Sequence, residues 1–182
     1  MNQIFKNPIQ IMLKRQTCFI VILAISIFSY GTSFYYDEPY ISAEEFNILS
    51  GEKWTGNLTY LDYQTNSETK ISANITVKRS GDNTDQFILI LEYPKEPQAN
   101  NIDTISINDD GKNFDGEKVI EKFSFDNDSL KFITESSGMD DDKESLFRHT
   151  YEISPKTFII RKDVKYDGDS TFIKRNEYYF TR

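Results

Sequence analysis

Apolar and polar residues alternate through most of the chain from residue 54 to residue 182, and turn-forming residues interrupt the pattern about every ten positions. Successive side chains of a strand point to opposite faces, so the alternation predicts strands joined by short turns. A chain of many short antiparallel strands must close on itself or leave its edges exposed. We therefore predict an all-β fold, an antiparallel up-and-down meander of about 8–10 strands closed into a barrel.

Turn residues set the limits of the predicted strands. Two of the clearest strands cover residues 117–125 and 157–166, each bounded by Gly, Pro, Asp, Asn or Ser. The acidic stretch 138–143 predicts a loop between two of the later strands, because Asp and Gly are common turn residues. Connections this short favour neighbouring strands that pair in chain order.

The N-terminal residues have the pattern of a secretory signal peptide. Three basic residues precede an uncharged apolar run over residues 18–30, which is shorter than the span of about 20 residues that crosses a membrane comfortably. Ser29 and Gly31 are small residues at the positions expected for cleavage after Gly31. We predict that residues 1–31 are a signal peptide and that the protein is exported to a periplasm, the cell surface or the medium. An uncleaved N-terminal anchor is the alternative.

The rest of the chain is predicted to form one domain behind a short lead-in. In the lead-in, residues 32–50, Ser42 and Glu45 have the spacing of a capping box, which predicts a short helix over residues 43–49. Residues 51–182 are the predicted barrel domain, long enough to bury a sizeable core.

Acidic residues outnumber basic ones once the leader is removed. Residues 1–31 contain three basic and no acidic residues, which leaves 18 Lys+Arg, 29 Asp+Glu and a net charge of −11. Nucleic acids bind basic faces, so we predict no nucleic-acid partner. Cleavage would also remove the only cysteine, Cys18, and leave a chain with no disulfide and no integral membrane domain. Export without disulfides fits a bacterial periplasm or cell surface.

The start of the first predicted strand resembles a known group of barrels. The run Gly51-Glu52-Lys53-Trp54-Thr55-Gly56 resembles the opening of calycin-type barrels, the lipocalin and fatty-acid-binding group. In that group a glycine and a tryptophan lie at the closed end, and an arginine from the last strand packs over the tryptophan. The resemblance implies that Arg182 or Arg175 packs over Trp54. More broadly, residues 51–182 resemble small exported lipocalin-like proteins of Bacteroidota.

The resemblance implies that the barrel binds a small hydrophobic or amphipathic molecule. The candidate cavity-lining residues are Tyr60, Phe87, Leu89, Phe123, Phe147, His149 and Tyr151. Further inward-facing candidates are Leu58, Ile75, Phe125, Phe158 and Phe172. Side chains of this size can also fill a barrel completely. The alternative function is therefore a non-catalytic structural or protein-interaction module of the cell envelope with a solid core, and the sequence identifies no protein partner.

The sequence contains no recognisable catalytic constellation. His149 is the only histidine, and a lone inward histidine can ligate haem iron, although a hydrogen-bonded or solvent-facing histidine is the more frequent case. A zinc site needs several ligands that the mature chain lacks. Acidic runs such as residues 140–142 fit turn chemistry and lack the spacing of a calcium loop. Nucleophile elbows and phosphate-binding glycine loops are absent from the sequence. We predict no enzyme activity, no cofactor and no metal site.

Overall fold

The computed structural model describes residues 37–182 except residues 63, 64, 66, 82 and 83. The predicted signal peptide, residues 1–31, and the first part of the lead-in lie outside the described residues. Within the described part of the chain, no helix is both long enough and apolar enough to cross a bilayer.

A short helix, α1 (Ala43–Asn47), precedes the strands and confirms the helix predicted from the capping box. The Ser42 hydroxyl accepts a hydrogen bond from the Glu45 backbone N–H, and the Glu45 carboxylate accepts one from the Ser42 backbone N–H at 2.9 Å. These two bonds satisfy donors that a helix start otherwise leaves free. The apolar face of α1 places Phe46 in the core, where the side chain is fully buried.

The remainder of the fold is one ten-stranded sheet in which the strands pair antiparallel. The strands are β1 (Trp54–Asp62), β2 (Ser67–Arg79), β3 (Gln86–Glu92), β4 (Asn101–Ser106), β5 (Asn113–Phe114), β6 (Glu117–Phe125), β7 (Ser129–Asp140), β8 (Lys143–Ile153), β9 (Thr157–Tyr166) and β10 (Ile173–Thr181). One 3-10 turn, Pro97–Ala99, lies between β3 and β4. The predicted all-β meander is confirmed, and the limits of β6 and β9 agree with the prediction.

The first and last strands pair with each other, which curls the sheet into a nearly closed barrel. Thr55 of β1 lies opposite Thr181 of β10, and the sheet ends at β4 and β5. Among the described residues, the bridge between Ile107 and Phe114 joins these two ends, and β5 is only two residues long. A seam therefore remains between β4 and β6, beyond the short β5.

Gly56 lies opposite Phe180 of β10, at a point where β1 has no room for a side chain. A Cβ atom at this position would lie 1.9 Å from the carbonyl oxygen of Tyr179. Backbone atoms cannot move aside as a flexible side chain can, so any larger residue would push the two strands apart. Closure of the barrel thus depends on a glycine within the predicted opening motif.

The predicted acidic loop over residues 138–143 is wrong for most of its length. Strand β7 continues to Asp140, which pairs with Lys143, so only Asp141 and Asp142 form the turn. Both have positive φ angles, 51° and 59°, which suits a two-residue hairpin turn. Asp tolerates this conformation better than most residues, and the tight turn needs only two of the acidic positions.

A β-bulge in β6 reverses the predicted orientation of two aromatic residues. The pairing of β6 with β7 shifts register between Val119 and Glu121, and an extra residue exchanges the two faces of the strand. Phe123 and Phe125 therefore face outward and are 47% and 60% exposed. The prediction that Phe123 lines a cavity is wrong, as is the inward orientation of Phe125.

Aromatic side chains fill the part of the barrel interior that α1 covers, which we call the closed half. Its largest fully buried side chains are Trp54, Phe46, Phe87, Phe114, Phe132, Phe158 and Phe180. The Phe46 ring centroid lies 4.9 Å from that of Phe87 and 5.1 Å from that of Phe114, at distances typical of favourable ring pairs. The closed half is therefore a packed core.

Candidate functional site

Beyond the closed half, the inward-facing side chains change from apolar to polar. Along β7, the buried residue Phe132 is followed on the same face by Thr134 and Ser136. On the neighbouring strand β8, Tyr151 lies opposite Phe132 and His149 lies opposite Thr134. We call this part of the interior the polar half. Its inward-facing polar residues include Glu117, Thr134, Ser136, His149, Lys162 and Asn176.

Glu117 is at the centre of the polar half and accepts hydrogen bonds from three side chains. One carboxylate oxygen accepts from His149 Nδ1 at 2.8 Å and from the Thr134 hydroxyl, and the other accepts from the Ser136 hydroxyl at 2.6 Å. Burial raises the pKa of Glu117, but the hydrogen bonds from His149, Ser136 and Thr134 outweigh burial and lower the pKa to about 2. The carboxylate is thus ionised at neutral pH.

The ionised carboxylate determines which nitrogen of His149 carries the proton. A carboxylate can only accept, so Nδ1 of His149 must be the donor. In the neutral imidazole, Nε2 then has a free lone pair. In the described part of the chain, Nε2 has no hydrogen-bond partner, although the side chain is only 20% exposed. Whenever the imidazole is neutral, the polar half therefore has an inward-facing acceptor.

The residues around this pair carry charges of both signs. Lys162 lies opposite His149 in the sheet, and its Nζ is 4.0 Å from the centroid of the Phe147 ring. Asp115 lies in the turn before β6, where partial burial and then the charges of Asp103 and Glu117 raise the pKa of its carboxyl. The carboxylates of Asp115 and Glu117 thus lie near the gap between β4 and β6, and Lys162 lies on β9.

Tyrosine side chains form the boundary between the two halves. The Tyr151 ring stacks on Phe132 with the centroids 4.6 Å apart. Burial raises the pKa of Tyr151, and the nearby charges of Glu117 and Asp115 raise it further, so the hydroxyl stays protonated. The hydroxyls of Tyr93 and Tyr178 are 2.7 Å apart. These rings present both aromatic surface and hydroxyl groups at the base of the polar half.

Arg182 packs over Trp54, the contact that the resemblance to calycin-type barrels implies. The Arg182 guanidinium carbon lies 4.1 Å from the centroid of the Trp54 ring, and Arg182 Nη2 donates to the Ile48 carbonyl at 2.9 Å. The indole N–H donates to the Leu49 carbonyl at 2.9 Å. Arg175, the other arginine considered for this role, donates instead to a carbonyl of β1. These contacts hold the segment after α1 against the barrel and have a structural role.

The other predicted cavity-lining residues divide between the two halves. Phe87 and Leu89 are buried in the closed half. Phe87 packs against Phe46, so its side chain has no surface that a ligand could contact. The residues that face the polar half and are partly exposed are Tyr60, Phe147, His149 and Tyr151. The structure therefore brings together four of the seven candidates.

Sequence reasoning missed the polar residues that define the site. Thr134 and Ser136 continue the inward face of β7, and this alternation is a signal that could have identified them. Glu117 follows a turn directly, and a carboxylate there is usually solvent-exposed. Among the described residues, no group of three or more His, Cys, Asp or Glu side chains is arranged to hold a metal ion.

Comparisons with known proteins show a shared fold. No family model and no curated protein matches the chain. The crystal structure of Rv2717c from M. tuberculosis superposes with a TM-score of 0.53 at 12% identity, over 79% of this chain and 99% of that chain. An S-type phycobiliprotein lyase, CPES from Guillardia theta, gives a TM-score of 0.41 at 9% identity over 78% and 93%. At 12% identity the first likeness shows the fold alone. The fold is a lipocalin-like β-barrel, and neither likeness supports an origin in Bacteroidota.

Proposed function

We propose that this protein binds a small amphipathic molecule in the polar half of its barrel. The observation that carries the proposal is the Glu117–His149 pair, which faces inward and leaves Nε2 of His149 without a protein partner in the described part of the chain. Removing an ionised carboxylate from water is costly, and a barrel that needs only a solid core would place apolar residues there. A ligand that contacts this pair gives the buried polar groups a function.

The packed aromatic core limits where the ligand lies. Phe114 and Phe132 occupy the closed half with ring centroids 5.0 Å apart, so the apolar part of the ligand would lie against the exposed surfaces of Tyr151 and Phe147. Its polar group would lie beside Glu117 and His149. This arrangement favours an amphipathic molecule over a purely hydrophobic one.

A binding function also fits the hydrogen bonding of the two hydroxyl residues better than catalysis does. A serine or threonine nucleophile is activated by a hydrogen bond to a base such as histidine. Thr134 and Ser136 both donate to Glu117 instead of to His149. We therefore propose a carrier or binding protein without enzyme activity.

Export is the second part of the proposal, and it rests on the sequence pattern of residues 1–31. The intact mass of the protein purified from its native cells tests it. A chain that begins after Gly31 in the periplasmic, surface or secreted fraction is expected. A full-length chain confined to the cytoplasm would contradict export.

Native mass spectrometry of the protein from its own cells tests ligand binding. We expect a bound small molecule in the wild type and its loss in Asn176→Trp, because Asn176 faces the polar half opposite Tyr60. Asn57→Trp on the outer face of β1 is the matched control and should retain the molecule. If no small molecule copurifies and added amphiphiles do not bind, the proposal is wrong. A visible absorption spectrum of the same sample tests the haem alternative for His149.

A protein-interaction module remains the second candidate, because Phe123 and Phe125 are exposed on the outer face of β6. Phe123 lines a groove of about 640 Å³ beside residues 37–40, and Phe125 lines one of about 340 Å³ beside β9. Exposed aromatic side chains of this kind are typical of binding surfaces. A protein partner that is lost in Phe123→Ser/Phe125→Ser, with the small molecule retained, would support this function.

A further inference from the structure

We propose that the polar group of the ligand is an uncharged hydrogen-bond donor, a hydroxyl or an amide N–H, that donates to Nε2 of His149. This inference rests on the proposed function and names the chemical class of its ligand. Glu117 acts as the positioning residue, because it holds the imidazole in the orientation and tautomer that this contact needs.

The hydrogen bonds of Glu117 fix the direction of the imidazole. Thr134 and Ser136 hold the two carboxylate oxygens from β7, and His149 Nδ1 approaches one of these oxygens at 2.8 Å from β8. Strands β6, β7 and β8 pair side by side, so all four side chains project from adjacent strands. A pair held this way from a rigid sheet presents Nε2 in one defined geometry.

The charges of Glu117 and Lys162 disfavour the other classes of polar group. A carboxylate or phosphate on the ligand would place a second negative charge beside Glu117 and against the lone pair of Nε2. An ammonium group would lie near Lys162, the residue opposite His149. An uncharged donor satisfies Nε2 without either repulsion, and the neighbouring rings of Tyr151 and Phe147 accept its apolar part.

The tautomer can be observed directly, because His149 is the only histidine in the sequence. Nitrogen NMR of protein labelled in histidine gives signals from a single imidazole at neutral pH. We expect Nδ1 to be protonated and Nε2 to be unprotonated in the wild type. A predominant Nε2–H tautomer, or an imidazolium protonated at both nitrogens, would overturn the inference even if every variant failed to fold.

A matched set of naphthalene probes tests the donor preference by fluorescence titration. 2-Naphthol carries the donor, 2-methoxynaphthalene lacks it, and 2-naphthoate carries an anion in the same place. We expect the wild type to bind 2-naphthol about tenfold more tightly than 2-methoxynaphthalene, as one added hydrogen bond allows. Addition of 2-naphthol should also shift the Nε2 signal of His149 and leave Nδ1 protonated.

Variants separate the role of His149 from that of Glu117. His149→Phe should remove the preference and retain binding of 2-methoxynaphthalene, whereas Glu117→Gln should weaken the preference and mix the two tautomers. Glu135→Gln is the control, because Glu135 accepts a hydrogen bond from Arg148 at 2.6 Å in the same sheet. This substitution should change neither result. Equal binding of 2-naphthol and 2-methoxynaphthalene, or tighter binding of 2-naphthoate, would overturn this inference but not the proposed function. Binding of none of the three, with no copurifying molecule, overturns the proposed function as well.

Discussion

The closed half and the polar half are built from the same strands, yet their inward faces differ in chemistry. On β7 the inward face runs from Leu130 and Phe132 to Thr134 and Ser136, with no break in the strand. The backbone geometry is the same on both sides of the change, so the difference lies in the side chains alone. One half supplies stability through packing, and the other contains the inward polar groups to which we propose that a ligand binds.

The largest expected effect comes from a cavity in the closed half. Phe132 is fully buried and stacks on Tyr151, so Phe132→Ala should lower the free energy of unfolding by about 3–5 kcal/mol. Urea unfolding measures this loss. Phe123→Ala, on the exposed face of β6, is the control and should change stability by less than about 0.5 kcal/mol. A similar small loss in both variants would mean that the closed half is not a packed core.

Closure of the barrel around both halves can be broken at one glycine. Gly56→Ala would place a methyl group 1.9 Å from the Tyr179 carbonyl oxygen, so β1 and β10 must separate. We expect a loss of more than about 2 kcal/mol and faster amide hydrogen exchange in both strands. Ser72→Ala, at an exposed position of β2 opposite Asn57, is the control and should leave exchange in β1 and β10 unchanged. Unchanged exchange in Gly56→Ala would contradict the closure.

The polar half should give a pH dependence that the closed half lacks. The pKa of Glu117 is lowered from 4.5 to about 2, so its hydrogen bonds stabilise the fold fully above pH 4.5 and lose this effect as the pH falls toward 2. Allowing for partial solvent screening, we expect a contribution of about 1–3 kcal/mol. Thermal unfolding of the wild type and Glu117→Gln between pH 6 and pH 2 should show a difference that shrinks with acid. A difference that is constant or grows would contradict this origin.

The smallest expected effect is at the end of the closed half. Arg182→Ala removes the stacking on Trp54 and the hydrogen bonds to the Ile48 and Pro155 carbonyls, all at an exposed position. We expect a loss of about 1 kcal/mol in urea unfolding. Lys156→Ala in the adjacent turn is the control and should have almost no effect. If Arg182→Ala lost as much stability as Phe132→Ala, the contacts of Arg182 would stabilise this half as strongly as the aromatic core, which would contradict the account.

The sequence predicts local features of this fold better than it predicts contacts between strands. The limits of β6 and the capping box at Ser42 follow from neighbouring residues, and both are confirmed. The bulge after Val119 depends on pairing with β7, so alternation alone placed Phe123 on the wrong face. Glu117 and His149 are 32 positions apart, and only the lateral order of the strands brings them together.

Backbone amide NMR spectra of the labelled protein, recorded with and without 2-naphthol, test most directly whether the ligand binds in the polar half and not in the closed half. We predict that the largest shifts occur in the polar half, at Thr134, Ser136 and His149, while Trp54 and Phe158 in the closed half change little. The largest shifts at Trp54 and Phe158, or around Phe123 on the outer face, would contradict the account.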